Sequence, residues 1–294
     1  MPTLGFTIVS SYSSERNLPV PLACSVRDCG LELARRERSL VCPRGHAFDV
    51  ARSGYVNLLQ PQDRRSLTAG DSEAELAARA RLSGAGAGEA LLAELVRAVR
   101  GLGLRSGALA VELGSGTGDV LSALAGACNL AAAGIDLASS AAEQAARRFP
   151  ACTWIVANAD RRLPLLDASL DLVLSIHGRR NPAECARVLR PGGSLVAALP
   201  ASDDLAELRA LVQGKSVPRE RVERYLAEHA AHFDLRARSA ARGRRRFDRA
   251  GLLDLLSGTY RGARRSAAAA VEALLELEVT LASDVLVLVR RSGP

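Results

Sequence analysis

Three cysteines and one histidine lie close together near the start of the chain. They are Cys24, Cys29, Cys42 and His46, within the stretch "CSVRDCGLELARRERSLVCPRGH". Structural zinc takes four such ligands in a tetrahedron, commonly as two short-range pairs on two turns. The spacing therefore predicts one structural zinc ion held by all four side chains. The alternative is that the cysteines are free and that His46 is only a turn residue.

The expected compartment argues against a disulfide in this cluster. The N-terminal sequence "MPTLGFTIVSSYSSERNL" lacks a basic start, a sustained apolar stretch and a small-residue cleavage site, so we predict no signal peptide. No apolar run reaches the length that spans a bilayer. We therefore expect a cytoplasmic protein, in which thiols are normally kept reduced.

A glycine loop after a predicted strand is the second group of residues with a chemical use. In "ALAVELGSGTGDV" the strand carries Glu112, and Gly114, Ser115, Gly116 and Gly118 form the loop. Glycines let the backbone turn sharply and approach a ligand closely. A dinucleotide site prefers the spacing G-x-G-x-x-G. The spacing G-x-G-x-G, with an acid two residues before it, suits a cofactor without phosphates to bind.

Polar residues at the ends of the next two predicted strands complete this pattern. Asp136 ends the second strand, where its carboxylate could accept hydrogen bonds from both ribose hydroxyls, and Leu137 follows it. Asn158 and Asp160 follow the third strand, where they could bond an adenine amine. The loop and these residues together predict a site for S-adenosylmethionine. The alternative is that the acids are ordinary strand-end carboxylates.

The rest of the sequence supplies the elements that must position these residues. The 294-residue chain is 48% apolar, and its texture divides it into a zinc-binding module (1–60), a connector (61–87) and a third region (88–294). In that third region strand-like and helical stretches alternate, which is typical of a doubly wound parallel α/β sheet. We therefore predict a Rossmann-like sheet preceded by a zinc-ribbon-like module.

Two longer stretches carry a family resemblance. The stretch from "VELGSGTGDVLSAL" to "NPAECARVLRPGGSLVAALP" looks like a class I methyltransferase, and "VCPRGHAFDVARSGYVNLLQPQ" with "AGDSEAELAARARL" resembles the RlmA/TlrB family of 23S rRNA guanine-N1 methyltransferases. The resemblance implies S-adenosylmethionine as methyl donor, a guanine in a 23S ribosomal RNA stem-loop as acceptor, the four zinc ligands above, and a homodimer. The chain departs from the family in its C-x4-C pair, in "SGAGAG" and in "IHGRRNP".

Residues on the acceptor side are predicted from their positions and side chains. His177, at the end of the fourth strand, could take a proton or stack on the target base, or it could be a loop residue without a role. RNA bases are often held between aromatic or arginine planes, and the candidates for this contact are Tyr55, Phe48, Arg179 and Arg180. Phe48 is better explained as part of the core of the zinc module.

Basic residues suggest a nucleic-acid partner. The net charge is +7, and "RARSAARGRRRF" places arginines at alternate positions of a predicted antiparallel strand. They could contact phosphates or form a solvated charged face. Two other functions stay open: a small-molecule methyltransferase, since this fold hosts many substrates, and a non-catalytic RNA-binding protein.

Overall fold

Strands and helices alternate along the chain after a β-rich start. The computed structural model describes residues 19–63, 71–178, 180–213, 221–259 and 265–291. The strands are β1 (Ala34–Arg36), β2 (Ser39–Val41), β3 (Ala47–Asp49), β4 (Val56–Asn57), β5 (Ala108–Leu113), β6 (Leu130–Asp136), β7 (Thr153–Val156), β8 (Leu170–Ile176), β9 (Leu189–Pro200), β10 (Phe233–Asp248) and β11 (Glu276–Arg290). The helices are α1 (Glu73–Gly84), α2 (Glu89–Arg100), α3 (Asp119–Cys128), α4 (Ser139–Arg148), α5 (Pro182–Val188), α6 (Ala206–Gln213), α7 (Val222–His229), α8 (Arg249–Thr259) and α9 (Arg265–Glu272).

One large sheet carries most of the fold, with the strand order β10-β11-β9-β8-β5-β6-β7-β4. Its strands from β4 to β9 pair in parallel, whereas β11 lies antiparallel between β9 and β10. From β5 the chain winds first toward β7 and then, through β8, in the opposite direction. Open α/β sheets bind ligands outside the carboxyl ends of their strands at such a switch point. The predicted doubly wound fold is confirmed.

Helices cover both faces of the sheet, which explains its apolar strands. All but one residue of β5 and of β8 are buried, a pattern typical of parallel strands packed on both sides. Helices α2, α3 and α4 cover one face, while α5, α7 and the start of the chain cover the other. Helices α8 and α9 pack with β10 and β11 in a further cluster. None of the helices in the described part of the chain is long and apolar enough to cross a membrane.

The N-terminal residues form a small sheet, β1-β2-β3, that docks on the large one. β4 pairs in parallel with β7 at the edge of the large sheet, and Leu22 forms an antiparallel bridge with Leu165. Val56 and Leu58 are buried in the same cluster as the strands of the large sheet. The last strand of the predicted zinc module therefore belongs to the main sheet, because its apolar side chains are buried there. The domain boundary at residue 60 stays a prediction.

The predicted connector contains helix α1, which begins with a capping box. The backbone N–H of Glu75 donates to the Ser72 hydroxyl at 3.3 Å, and the Glu75 carboxylate accepts from the N–H of Ser72 at 2.7 Å, which satisfies two N–H groups at the start of the helix. Leu76 packs against Ala138 at the start of α4, and Leu82 packs against α8. Helix α1 thus extends from α4 to α8.

Candidate metal centre and cofactor site

The four predicted zinc ligands lie together, with their ligand atoms within 4.8 Å of one another. The Sγ atoms of Cys24 and Cys42 each lie 3.4 Å from Nδ1 of His46, and the Sγ atom of Cys29 lies 3.8 Å from that of Cys42. A tetrahedral zinc ion with ordinary bond lengths holds two sulfurs about 3.8 Å apart, and a sulfur and a nitrogen about 3.5 Å apart. These distances fit four ligands of one ion, whereas a disulfide would need two sulfurs about 2 Å apart.

Two tight turns hold these ligands in place. The N–H of Gly30 donates to the carbonyl of Cys24 at 3.2 Å, and the N–H of Gly45 donates to that of Cys42 at 2.9 Å. Both glycines have left-handed backbones, with φ of 65° and 82°, which glycine adopts without strain. The first turn therefore closes with the C-x4-C spacing of this chain.

Two thiols of the cluster differ in pKa. Burial raises the pKa of Cys24 to about 12. At Cys42 burial also acts to raise the pKa, but the backbone N–H groups of His46 and Arg44 outweigh it and lower the pKa to about 7. Zinc ligands are thiolates, so metal binding displaces a proton from Cys24. Arg44 also donates to the carbonyl of Asp28 at 2.9 Å, which links the two turns.

The glycine loop after β5 passes through three left-handed residues. Gly114, Gly116 and Gly118 have φ of 77°, 53° and 80°. A Cβ atom on Gly118 would lie 2.2 Å from the ring of Trp154, whereas one on Gly116 would meet no atom within 4 Å. Gly118 is thus required by packing, while Gly116 faces open space in which a ligand can approach the backbone.

Asp136 ties the glycine loop to the start of α4. Its Oδ2 accepts a hydrogen bond from the N–H of Gly116 at 2.8 Å, and its Oδ1 accepts one from the N–H of Ala138 at 2.9 Å. Burial raises the pKa of Asp136, although the two N–H groups act to lower it. Each oxygen keeps a second lone pair, so this carboxylate can still accept from ribose hydroxyls. The half-buried Leu137 lies directly beside it.

Glu112 is a buried carboxyl group in β5, only 3% exposed. Its Oε2 has no hydrogen-bond partner among the described residues. Burial, assisted by the charge of Asp136, raises its pKa well above the usual range. An unpartnered buried polar atom costs about 1–3 kcal/mol, so this oxygen fits a proton or a donor group of a ligand, such as the ammonium of an amino acid.

Asn158 and Asp160 lie beyond the carboxyl end of β7, as predicted. The Asn158 amide donates to the carbonyl of Asp63 at 2.7 Å, and its oxygen accepts from the N–H of Asp160 at 3.0 Å. The buried amide therefore already fixes the surrounding loops, and it keeps one N–H and one lone pair for a nucleobase. The adenine contact of both residues stays a prediction.

His177 follows β8 in a left-handed backbone conformation, with φ of 50°. Its Nε2 lies 2.9 Å from the hydroxyl of Ser283. The residue is exposed to solvent. Partial desolvation by the neighbouring protein, followed by the charges of Arg221 and Arg79, lowers the pKa of His177. The imidazole is therefore neutral near pH 7, and its role in catalysis stays a prediction.

Arg79 of α1 is a site residue that the sequence analysis did not identify. It forms an ion pair with Asp71 and donates to the carbonyl of Gly258 at 2.8 Å. Its charge acts on both Asp136 and His177. The capping box predicts a helix at this position, but no sequence signal places that helix beside the strand ends.

The predicted base-stacking residues have different surroundings. Phe48 is half-buried against the core, as predicted, and Tyr55 is half-buried against the opposite face of the sheet. The guanidinium of Arg180 lies 5.6 Å from the centre of the Tyr225 ring. Arg179 lies outside the described residues. Of these side chains, Phe48 and Tyr55 contribute to packing.

The arginine-rich run forms β10, the antiparallel strand that was predicted. Five of its arginines are exposed: Arg238, Arg242, Arg244 and Arg246 lie on one face, and Arg236 lies in the bulge between Leu235 and Ala237. Four of these five have a carboxylate partner, at distances between 2.9 and 3.5 Å. Arg245 points to the other face, beside Gly86. Much of the positive charge of this strand is thus compensated within the protein.

Two parts of the chain match known families. Residues 23–67 match the family described as "RlmA, N-terminal", and residues 110–193 match "Methyltransferase domain". A Streptomyces fradiae 23S rRNA (guanine(748)-N(1))-methyltransferase is 38% identical over 212 residues, which cover 70% of this chain and 73% of that protein. A Micromonospora griseorubida protein, provisionally named a 23S rRNA (guanine-N(1)-)-methyltransferase, is 33% identical over 253 residues, which cover 80% and 84%. A solved Bacillus halodurans C-125 structure, provisionally named a methyltransferase, shares the fold with a TM-score of 0.50 and 14% identity, over 68% of this chain and 99% of that one.

The sheet order, the glycine loop and the matched domains define an S-adenosylmethionine-dependent methyltransferase with an N-terminal zinc ribbon. The similar proteins indicate which family within this class the chain belongs to. At these identities and coverages, the chain belongs to the family of 23S rRNA (guanine-N1)-methyltransferases. The family resemblance, the enzyme class and the two cofactors predicted from the sequence are confirmed.

Proposed function

We propose that this protein transfers the methyl group of S-adenosylmethionine to N1 of a guanine in 23S ribosomal RNA. One observation carries the proposal. A tetrahedral Cys/His cluster docks on the same sheet whose strand ends carry the glycine loop and Asp136. A small-molecule methyltransferase would not need the zinc module. The named activity of the relatives supports the same acceptor.

Residues at and just after the carboxyl ends of β5 and β6 would hold the methyl donor. Asp136 has lone pairs for the ribose hydroxyls, Gly116 leaves space for close approach, and Glu112 has an unpartnered oxygen that fits the ammonium of the methionine part. When bound, S-adenosylmethionine supplies a methyl group on a positively charged sulfur. Held in line with the acceptor nitrogen, the reactants gain much of the rate from positioning alone.

The RNA would approach from the side of His177 and the zinc module. A guanine must leave its base stack to reach such a site. Arg36, Arg38 and Arg44 are exposed on the zinc module, and no ion pair of theirs is found among the described residues. We further propose a stem-loop of 23S RNA as target, a homodimer as the assembled form, and the cytoplasm as the location, because ribosomes lie there. The family resemblance supports the stem-loop and the homodimer, and the N-terminal sequence without a signal-peptide pattern supports the location.

Mapping of methylated guanines tests the function. Ribosomal RNA from cells lacking the protein is incubated with donor and purified protein, and methylated positions are read by mass spectrometry. We expect one new N1-methylguanine in 23S RNA. Asp136→Asn should lose it, whereas Asp234→Asn should retain it, because Asp234 is an exposed carboxylate paired with Arg291.

Two other outcomes would overturn the proposal. If the protein binds RNA but no guanine gains a methyl group in any ribosomal RNA preparation, it is an RNA-binding protein that has lost the reaction. If the donor is consumed only with small molecules, the zinc module serves another purpose.

A further inference from the structure

Three features define the position of His177, and one of them is a contact of a ring nitrogen. Its backbone N–H donates to the carbonyl of Ala198 at 2.9 Å, its backbone is left-handed with φ of 50°, and its Nε2 lies 2.9 Å from the Ser283 hydroxyl. A left-handed backbone costs a non-glycine residue about 1–2 kcal/mol. Such strain is concentrated at functional sites. The β8 end thus presents this imidazole in one fixed orientation.

Ser283 lies in the interior of β11, only 4% exposed. It is the cross-strand partner of Pro200, the last residue of β9. Since the Ser283 hydroxyl occupies Nε2, the nitrogen left for a ligand is Nδ1, which has no partner among the residues that the structure describes. The residue is exposed to solvent, so a ligand can reach the ring.

The charges of two arginines on other elements act on this imidazole. Arg221, just before α7, donates to the carbonyl of Pro200 at 2.9 Å. Arg79 of α1 is held by Asp71 and by the carbonyl of Gly258. A neutral imidazole is a dipole with its lone pair at the negative end. A hydrogen bond from Nε2–H to the Ser283 hydroxyl leaves the lone pair on Nδ1, and nearby positive charge stabilises an imidazole lone pair.

We propose that Ser283 is a positioning residue that accepts a hydrogen bond from Nε2–H of His177, so that the Nδ1 lone pair faces the cleft and takes the proton from guanine N1. This inference rests on the proposed function. In the step, the N1–H bond breaks and its proton passes to Nδ1. The N1 electron pair forms the bond to the methyl carbon while the carbon–sulfur bond breaks. The positive charge leaves the sulfur and reappears on the imidazolium, which then releases its proton to water.

The two cations do not work against this transfer. Desolvation, and after it these two charges, lowers the pKa of His177, which keeps the imidazole neutral and able to accept a proton at pH 7. The same charges stabilise an electron-rich guanine from which the N1 proton is leaving. More of the enzyme therefore holds its base in the neutral, active form near pH 7.

The tautomer can be observed without substrate or donor. Long-range proton–nitrogen correlation spectra of uniformly 15N-labelled protein at pH 7.5 show which ring nitrogen of each of the four histidines carries the proton, and His177→Ala identifies the resonance. We expect the proton on Nε2 in the wild type, and a mixture of both tautomers in Ser283→Ala. A proton on Nδ1 in the wild type would overturn the proposal.

Single-turnover methylation tests the consequence for the reaction. Ser283→Ala should slow methyl transfer about three- to tenfold, the effect of losing one hydrogen bond, with unchanged donor affinity, and Ser283→Thr should restore the rate. Ser194→Ala is the matched control, because Ser194 is equally buried in the neighbouring strand β9. The rate should rise with pH through the lowered pKa of His177, and His177→Ala should remove that rise.

The outcomes separate this inference from the function on which it rests. Transfer at the wild-type rate in Ser283→Ala, or an unaltered pH profile in His177→Ala, would refute the proton transfer while leaving guanine methylation established. If no guanine is methylated at all, the function fails and the proton transfer fails with it. The spectra still decide whether Ser283 sets the tautomer.

Discussion

Two glycines of the same loop should respond differently to the same added methyl group: one change should act on packing and the other on donor binding. Gly116 and Gly118 both have left-handed backbones, so alanine at either position should cost about 1–2 kcal/mol of folding stability. At Gly118 the new Cβ would also overlap the Trp154 ring, and overpacking adds about 1–3 kcal/mol. We expect Gly118→Ala to lose about 2–5 kcal/mol of stability in total.

Gly116→Ala should lose donor binding and keep the fold. Its Cβ meets no protein atom within 4 Å, so it projects into the space where the methyl donor should lie. A clash there should weaken S-adenosylmethionine binding by more than tenfold, which is about 1.4 kcal/mol. Gly126→Ala in the exposed part of α3 is the matched control, since alanine in a helix stabilises it by about 0.5–1 kcal/mol.

Urea unfolding and titration calorimetry separate the two effects. The unfolding free energies of the variants give the cost of the backbone and of the Trp154 contact, and calorimetry gives the donor affinity of the folded protein. If Gly116→Ala binds the donor as tightly as the wild type, the loop does not face the donor. If both variants are equally stable, the contact between position 118 and Trp154 adds nothing to the stability cost of alanine there.

Three further predictions concern single side chains. Purified protein should carry close to one zinc ion per chain, and Cys42→Ser should lose the metal. Cys185→Ser should keep it, because Cys185 is a buried cysteine outside the cluster. Metal-free wild-type protein would contradict the zinc site. Asp136→Asn should weaken donor binding more than tenfold, because a hydrogen bond to a charged group contributes about 1.5–3 kcal/mol. An unchanged donor affinity in calorimetry would show that Asp136 does not bind the ribose. Glu112→Gln tests the raised pKa of the buried carboxyl. Above about pH 4.5 the Glu112 carboxyl loses its proton in the unfolded chain but keeps it in the folded chain. The unfolding free energy of the wild type should therefore fall with rising pH relative to that of the variant. Parallel curves of unfolding free energy against pH would show that Glu112 ionises with an ordinary pKa.

The parts of the fold that depend on local pattern could be predicted from the sequence. The strands from β5 to β9 are apolar runs bounded by turns, and the zinc ligands are close in sequence, so their spacing alone indicates a site. The C-x4-C pair fits because Gly30 closes its turn. These features depend mainly on local sequence, and the structure has the predicted strands and brings the four predicted ligands together.

Long-range packing was not accessible to the same reasoning. Nothing in the residues around Val56 shows that they join a strand about a hundred residues later, because a two-residue strand has no pattern of its own. The partners of the β10 arginines lie on β11 and before or within α6, so a run that is basic in sequence is largely neutralised in space. The position of Arg79 depends in the same way on how α1 packs.

The pairing of β4 with β7 also has a consequence for how the chain is made. β7, with the sequence "TWIV", is fully buried, and without β4 it would be an open, apolar sheet edge of the kind that recruits other chains. During synthesis β4, which protects this edge, leaves the ribosome about a hundred residues before β7 does. The metal-binding turns are formed by residues close in sequence, so they can fold and bind zinc as soon as they are made. The zinc-bound segment is then already folded when β7 emerges. Zinc shortage during synthesis should therefore be seen first as aggregation of newly made chains, before any loss of activity in protein that has already folded.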